Sequence, residues 1–258
     1  MRSLILFSLL LGSSAMAAIT TKKVGYELDK TKFEGVLVWD DAKKTPQPAL
    51  VLVPNWLGIT DANVEQAKLV AGRGYVVFVA DMFGVTGRPK SPDEAGKVSG
   101  ALKGNRPLMR ARVKKALEVL LAQKGAPLDD KRIGAIGFCF GGTTALELAR
   151  SGAKLGGVVS FHGGLSSPTP DDAKNITGKV LALHGADDPF VPADEVAGFE
   201  AEMRAAKVDW QLVAFGNAVH SFTDPDANMA GKAQYNPVVA ARAYAMMDSF
   251  FAEAFAAK

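Results

Sequence analysis

The 258-residue chain has one cysteine, Cys139, and three histidines. A single thiol cannot close a disulfide within its own chain, so the fold must be held by its core and the cysteine needs another explanation. Bias of charge is also missing. Lys and Arg number 30 against 27 Asp and Glu, a formal charge of +3, and no basic block or basic-aromatic alternation occurs. Nothing therefore points to a nucleic-acid partner, and the expected partner is a small molecule. Long apolar runs are lacking too: the run Leu4 to Leu11 falls short of the roughly 18 residues that span a bilayer. No internal repeat, low-complexity tract or linker interrupts the chain.

What is present begins with Arg2, the short apolar run, and the small residues Ala15 and Ala17. This order reads as a signal peptide over residues 1–17, cut after Ala17, rather than as a membrane anchor. Residues 18–258 are then expected to form one domain, exported to the periplasm or beyond, with no stable membrane insertion. The 48% hydrophobic content is enough for a sizeable core. Oligomeric state has no signature in the sequence.

Val24–Leu28 and Phe33–Trp39 are predicted as an early hairpin, and "PALVLVPNWLG" as a strand buried on both faces. A helix over Asp61–Ala71 and the strand "YVVFVAD" complete one strand–helix–strand unit. Residues 81–105 are either an irregular active-site loop or contain a short helix. Beyond them the pattern predicts a helix from Pro107 to Gln123, strand Arg132–Phe138, helix Gly141–Arg150, strands Gly157–Phe161 and Val180–His184, helix Ala193–Ala206, strand Trp210–Phe215 and a final helix Pro237–Ala256. Alternation of this kind gives an α/β fold, a mostly parallel central sheet with helices on both faces.

"GFCFGG" lies between a predicted strand and a predicted helix, the setting of a nucleophile elbow. Gly137 and Gly141 flank Cys139 where the turn is too tight for side chains, and the helix N-terminus favours thiolate over thiol. A buried cysteine acting as a small hydrophobe is the plainer reading, so its partners decide. In this element order the acid and then the histidine follow the nucleophile, each after a strand. "LHGADDPFVP" supplies Asp188, preferred over Asp187 because the loop Pro189 to Pro192 starts there, and "FGNAVHSF" supplies His220. His184 reads as structural, while His162 either finds a backbone partner at its strand end or lines the pocket mouth. The expected roles are Cys139 as nucleophile, His220 as base and acid, and Asp188 as its orienting partner. Backbone N–H groups of Phe140 and Trp56 form the oxyanion hole, and the product of attack is a thioester. Sulfur as nucleophile favours activated esters, thioesters and lactones over amides.

The segments "PNWLG", "FVADMFG", "IGFCFGG", "LHGADDPFVP" and "HSFTDP", in that order, resemble the dienelactone hydrolase family of α/β-hydrolases over nearly the whole mature chain. The resemblance implies the α/β-hydrolase fold, a cysteine-dependent lactone or ester hydrolase with Cys139, Asp188 and His220 as its triad, and no metal or organic cofactor. Two positions depart from the family pattern. Asn55 stands where the best-known members carry a glutamate that helps to deprotonate the thiol, and it cannot take a proton at neutral pH. Asp224 stands where they carry an arginine that binds a substrate carboxylate. Arg106 and Arg110 either compensate from the preceding helix or form its solvated face. The rival class is a non-catalytic or redox-responsive binding protein on the same fold, with Cys139 oxidised reversibly.

Overall fold

The computed structural model describes residues 19–256, so the segment read as a signal peptide lies outside the described residues. The chain opens with an antiparallel hairpin, β1 (Ile19–Leu28) and β2 (Thr31–Asp40), turning at Asp29 and Lys30, both with positive φ. Both strands are longer than expected, because the ladder continues through the charged Lys22 and Lys23, which an edge strand accommodates. Next come β3 (Gln47–Val53), α1 (Asp61–Ala71) and β4 (Val76–Val79). Ala49 to Val53 have no exposed surface, as the unbroken apolar run of β3 predicts.

The stretch left open between a loop and a helix holds α2 (Pro92–Gly104), followed at once by α3 (Arg106–Leu121). Ser91 accepts the Glu94 N–H at 3.3 Å and Asn105 accepts the Leu108 N–H at 3.1 Å, so each helix starts on a side-chain cap followed by proline. The remaining elements are β5 (Leu128–Phe138), α4 (Phe140–Arg150), β6 (Gly157–Phe161), a 3-10 turn (Pro170–Asn175), β7 (Lys179–Gly185), α5 (Ala193–Ala206), β8 (Trp210–Phe215), the two-residue strands β9 (Asn228–Met229) and β10 (Ala233–Gln234), and α6 (Pro237–Ala254).

Eight strands form one sheet in the order β1-β2-β4-β3-β5-β6-β7-β8. The hairpin joins it antiparallel through β2 and β4, and every later pairing is parallel. One face packs against α1 and α6 and the other against α2 to α5, giving two apolar cores. No helix of the described residues is long and apolar enough to cross a membrane.

This order places the site. The chain leaves β3 toward β4 and returns to β5 on the other side of β3, so the connections diverge between the C-terminal ends of β3 and β5. Such a switch point opens a crevice in a parallel sheet. The loop after β3 carries Asn55 and Trp56, the turn after β5 is Cys139, and the ends of β7 and β8 lead to Asp188 and His220.

Candidate active site

Cys139 is the single residue between β5 and α4, with φ 56° and ψ −119°. A non-glycine residue rarely occupies that region, and it persists only where its surroundings fix it. They do so here. A Cβ on Gly137 would strike the Gly141 carbonyl, and one on Gly141 would strike the Val53 carbonyl at the end of β3. The Cys139 N–H is shared between the Phe161 carbonyl at 3.0 Å and Nδ1 of His162 at 3.2 Å. The thiol is partly buried at the start of α4, where the helix dipole favours negative charge.

Asp188 is buried, and its Oδ2 accepts Nδ1–H of His220 at 2.7 Å while Oδ1 accepts the Phe190 N–H at 2.8 Å. Asp187 is exposed, and its N–H is held by the Ala218 carbonyl. His220 is clamped by its own backbone: its N–H donates to Lys232, its carbonyl accepts from Gln234, and it bridges Ala233 of β10. With Nδ1–H directed at Asp188, Nε2 is the nitrogen left for the Cys139 thiol. Burial alone would depress the His220 pKa, but the hydrogen bond to Asp188 and the nearby Cys139 push it up to about 10. The structure therefore joins His220 to Asp188 by a hydrogen bond and sets Cys139 near enough to raise the His220 pKa.

Trp56 lies in the loop after β3 and Phe140 opens α4. Among the described residues neither N–H has a partner, as expected for the first N–H of a helix in the case of Phe140. The Trp56 side chain packs into the core and lies against Gly96 of α2. Asn55 shapes this loop: its Oδ1 accepts the Leu57 N–H at 3.1 Å and an Nδ2–H of Asn63 at 3.2 Å.

His162 is fully enclosed at the end of β6, with φ 40°. Besides accepting the Cys139 N–H, it directs Nε2 to Thr223 Oγ1 at 2.8 Å and stands edge-on to His220 with ring centroids 5.2 Å apart. Burial, then the nearby His220, hold its pKa well below the usual 6.5, so the ring is neutral. Its contact with Cys139 could not be read from spacing, since it depends on the register of β5 against β6. His184 is buried with Nδ1 unpartnered, and burial lowers its pKa as well.

Arg106 and Arg110 are both half-buried. Arg110 donates from Nε to Glu147 at 2.7 Å and from Nη1 to Asp172 at 2.6 Å, which makes it a tie between α3, α4 and the 3-10 turn rather than a compensating anion site. Arg106 reaches the Ser166 carbonyl and Met109 Sδ. Neither lines the cavity beside the site. That cavity, of about 630 Å³, lies between α1 and α6 and is bordered by Asn55, His162, Thr223, Asp224 and Tyr244. Among the described residues no group of three or more His, Cys, Asp or Glu side chains could hold a metal ion.

A strained turn between strand and helix, set at the switch point of a largely parallel sheet, is the nucleophile position of the α/β-hydrolases, and this chain is one of them. Within that class, the model of the "Dienelactone hydrolase family" matches residues 33–255. The chain belongs to that family of ester and lactone hydrolases. It is similar to the solved structure named "m3DLH", at 41% identity and TM-score 0.87, over 93% of this chain and 100% of the other. A dienelactone hydrolase-like promiscuous phosphotriesterase from metagenomic libraries is 39% identical with TM-score 0.85, over 92% and 98% of the two chains. A carboxymethylenebutenolidase homolog from Xenopus tropicalis is 27% identical, covering 67% of this chain and 70% of its own length.

Proposed function

We propose that the chain hydrolyses an ester or lactone through Cys139, His220 and Asp188. The observation that carries this reading is the buried 2.7 Å hydrogen bond from His220 Nδ1 to Asp188, which fixes the tautomer that leaves Nε2 for the cysteine. The thiol proton rests on Nε2, as the raised His220 pKa favours, and Sγ bonds to the substrate carbonyl carbon. The carbonyl oxygen becomes an oxyanion held by the N–H groups of Phe140 and Trp56. Collapse breaks the C–O bond, the imidazolium returns its proton to the departing oxygen, and the acyl group stays on Sγ as a thioester. Water then gives a proton to Nε2 and attacks the acyl carbon. The C–S bond breaks, the acid leaves, and Sγ recovers its proton.

Asn55 supports this division of labour. Its carbonyl oxygen is occupied by two donors and its amide cannot take up a proton at neutral pH, so thiol activation rests on His220 and the start of α4. The cavity between α1 and α6 offers the substrate arm a wall carrying Asp224 and Asp226, which have no cationic partner among the described residues. Its one cation, Arg73, is already paired with Asp248. An uncharged arm suits that lining better than a carboxylate. The export read from residues 1–17 belongs to the same proposal, which places the enzyme outside the cytosol.

Cys139→Ala and His220→Ala should each lower kcat on a neutral aryl ester by about 10³-fold or more, with folding intact. Cys139→Ser should also lose most activity, since an alkoxide needs a stronger base than the site supplies. Retention of wild-type turnover by Cys139→Ala would overturn the reading.

A further inference from the structure

Hydrogen bonds run beyond the triad. Nδ1 of His162 accepts the Cys139 N–H at 3.2 Å, so the hydrogen of the neutral ring sits on Nε2, which donates to Thr223 Oγ1 at 2.8 Å. The Tyr244 hydroxyl of α6 accepts an N–H of Gln66 in α1 at 3.2 Å. His162, Thr223, Tyr244 and Gln66 also border the cavity between the two helices. The chain of bonds thus starts at the strained cysteine turn and ends on the loop three residues beyond His220, at Thr223 on the cavity border.

Two features mark this as more than a satisfied core histidine. His162 is itself held at a positive φ, with its N–H bonded to the Leu183 carbonyl, so backbone strain is maintained to present this ring. The ring also contacts both moving parts of the proposed reaction. It bonds to the nucleophile's backbone and packs edge-on against His220 at 5.2 Å.

We propose that His162 is a positioning residue that registers the Cys139 turn against the loop bearing His220, using a neutral ring that accepts from one and donates to the other. This rests on the reading of Cys139 as nucleophile. The role requires an acceptor and a donor on one rigid side chain. Leucine fills the volume and supplies neither. Glutamine supplies both, its amide oxygen standing for Nδ1 and its N–H for Nε2–H.

His162→Leu should lower kcat on a neutral aryl ester by about 10²-fold, the effect of misplacing a reacting group by about 1 Å. KM should change little, and His162→Gln should recover a large part of the loss. The rate of Cys139 alkylation by iodoacetamide should follow the same order across pH, because thiolate formation depends on the Sγ–Nε2 geometry. Thr223→Val, which cuts the chain at its other end, should lower kcat in the same direction and add little to His162→Leu. A His162→Leu enzyme that is folded, with kcat and alkylation profile within about twofold of wild type, would overturn the proposal. Should that variant fail to fold, an unaffected Thr223→Val would overturn it equally. Full ester hydrolysis by Cys139→Ala would instead sink the underlying catalytic reading.

Discussion

Asp224 is the residue through which substrate charge can be felt. It is half-buried on the cavity wall, with Asp226 beside it, and no cation lies within ion-pair distance among the described residues. A neutral 4-nitrophenyl butyrate should therefore have kcat/KM about tenfold or more above the anionic 4-nitrophenyl hemisuccinate at pH 8 and low salt. The ratio should narrow in Asp224→Asn and in high salt. Equal rates for the two esters in wild type would show that this wall does not select on charge. Residues of this kind differed in how readable they were. Asp188 could be distinguished from Asp187 by where its loop begins, and the bond to His220 agrees with that choice. The contact between His162 and Cys139 could not, because it joins adjacent strands whose register no local pattern reveals.

At the scale of elements, α4 carries more than the first turn behind the cysteine. All of its residues are buried, and Arg150 at its end has no exposed side chain. Arg150 donates from Nε and Nη2 to Glu202 of α5, from Nη1 to Glu147, and from Nη2 to the Leu165 carbonyl. Glu202→Ala would take one of two carboxylates from this buried guanidinium and should cost about 3 kcal/mol, about 2–4 °C in Tm per kcal/mol for a domain of this size. The exposed pair Arg204–Glu200 should contribute no more than about 1 kcal/mol. Chemical denaturation of Glu202→Ala and Arg204→Ala would show the contrast, and equal small losses would contradict it. The strands and helices of the parallel half were legible because their apolar runs are strong. The helix α2 was not, since its buried residues are only Ala95, Ser99 and Leu102, too small to print a clear stripe. Its start was nonetheless written in "SPDE", where Ser91 caps and Glu94 reaches back to the Lys90 N–H. The clamp of β9 and β10 is two residues per strand, below what periodicity can detect.

For the whole molecule, the three imidazoles pull stability in opposite directions with pH. His162 and His184 have pKa values depressed below 6.5, so the unfolded chain binds their protons first and stability falls as pH drops below about 6.5. His220 has its pKa raised to about 10, so its contribution is full below 6.5 and is lost as pH rises toward 10. Thermal unfolding against pH should therefore peak near 6.5 as far as these groups decide it. His162→Gln should flatten the acid side, and an unchanged acid limb would assign that loss to carboxylates instead. The fold class followed from alternation of strands and helices, and the switch point between β3 and β5 explains why distant segments meet in one crevice. Their convergence on Cys139 is the centre of the account, and intact-mass spectrometry after mixing with 4-nitrophenyl acetate tests it most directly. An acetyl adduct on Cys139 should form and decay in the wild-type protein. It should be absent in Cys139→Ala and, in His220→Ala, form slowly and persist. Turnover with no adduct at Cys139 under any of these conditions would contradict it.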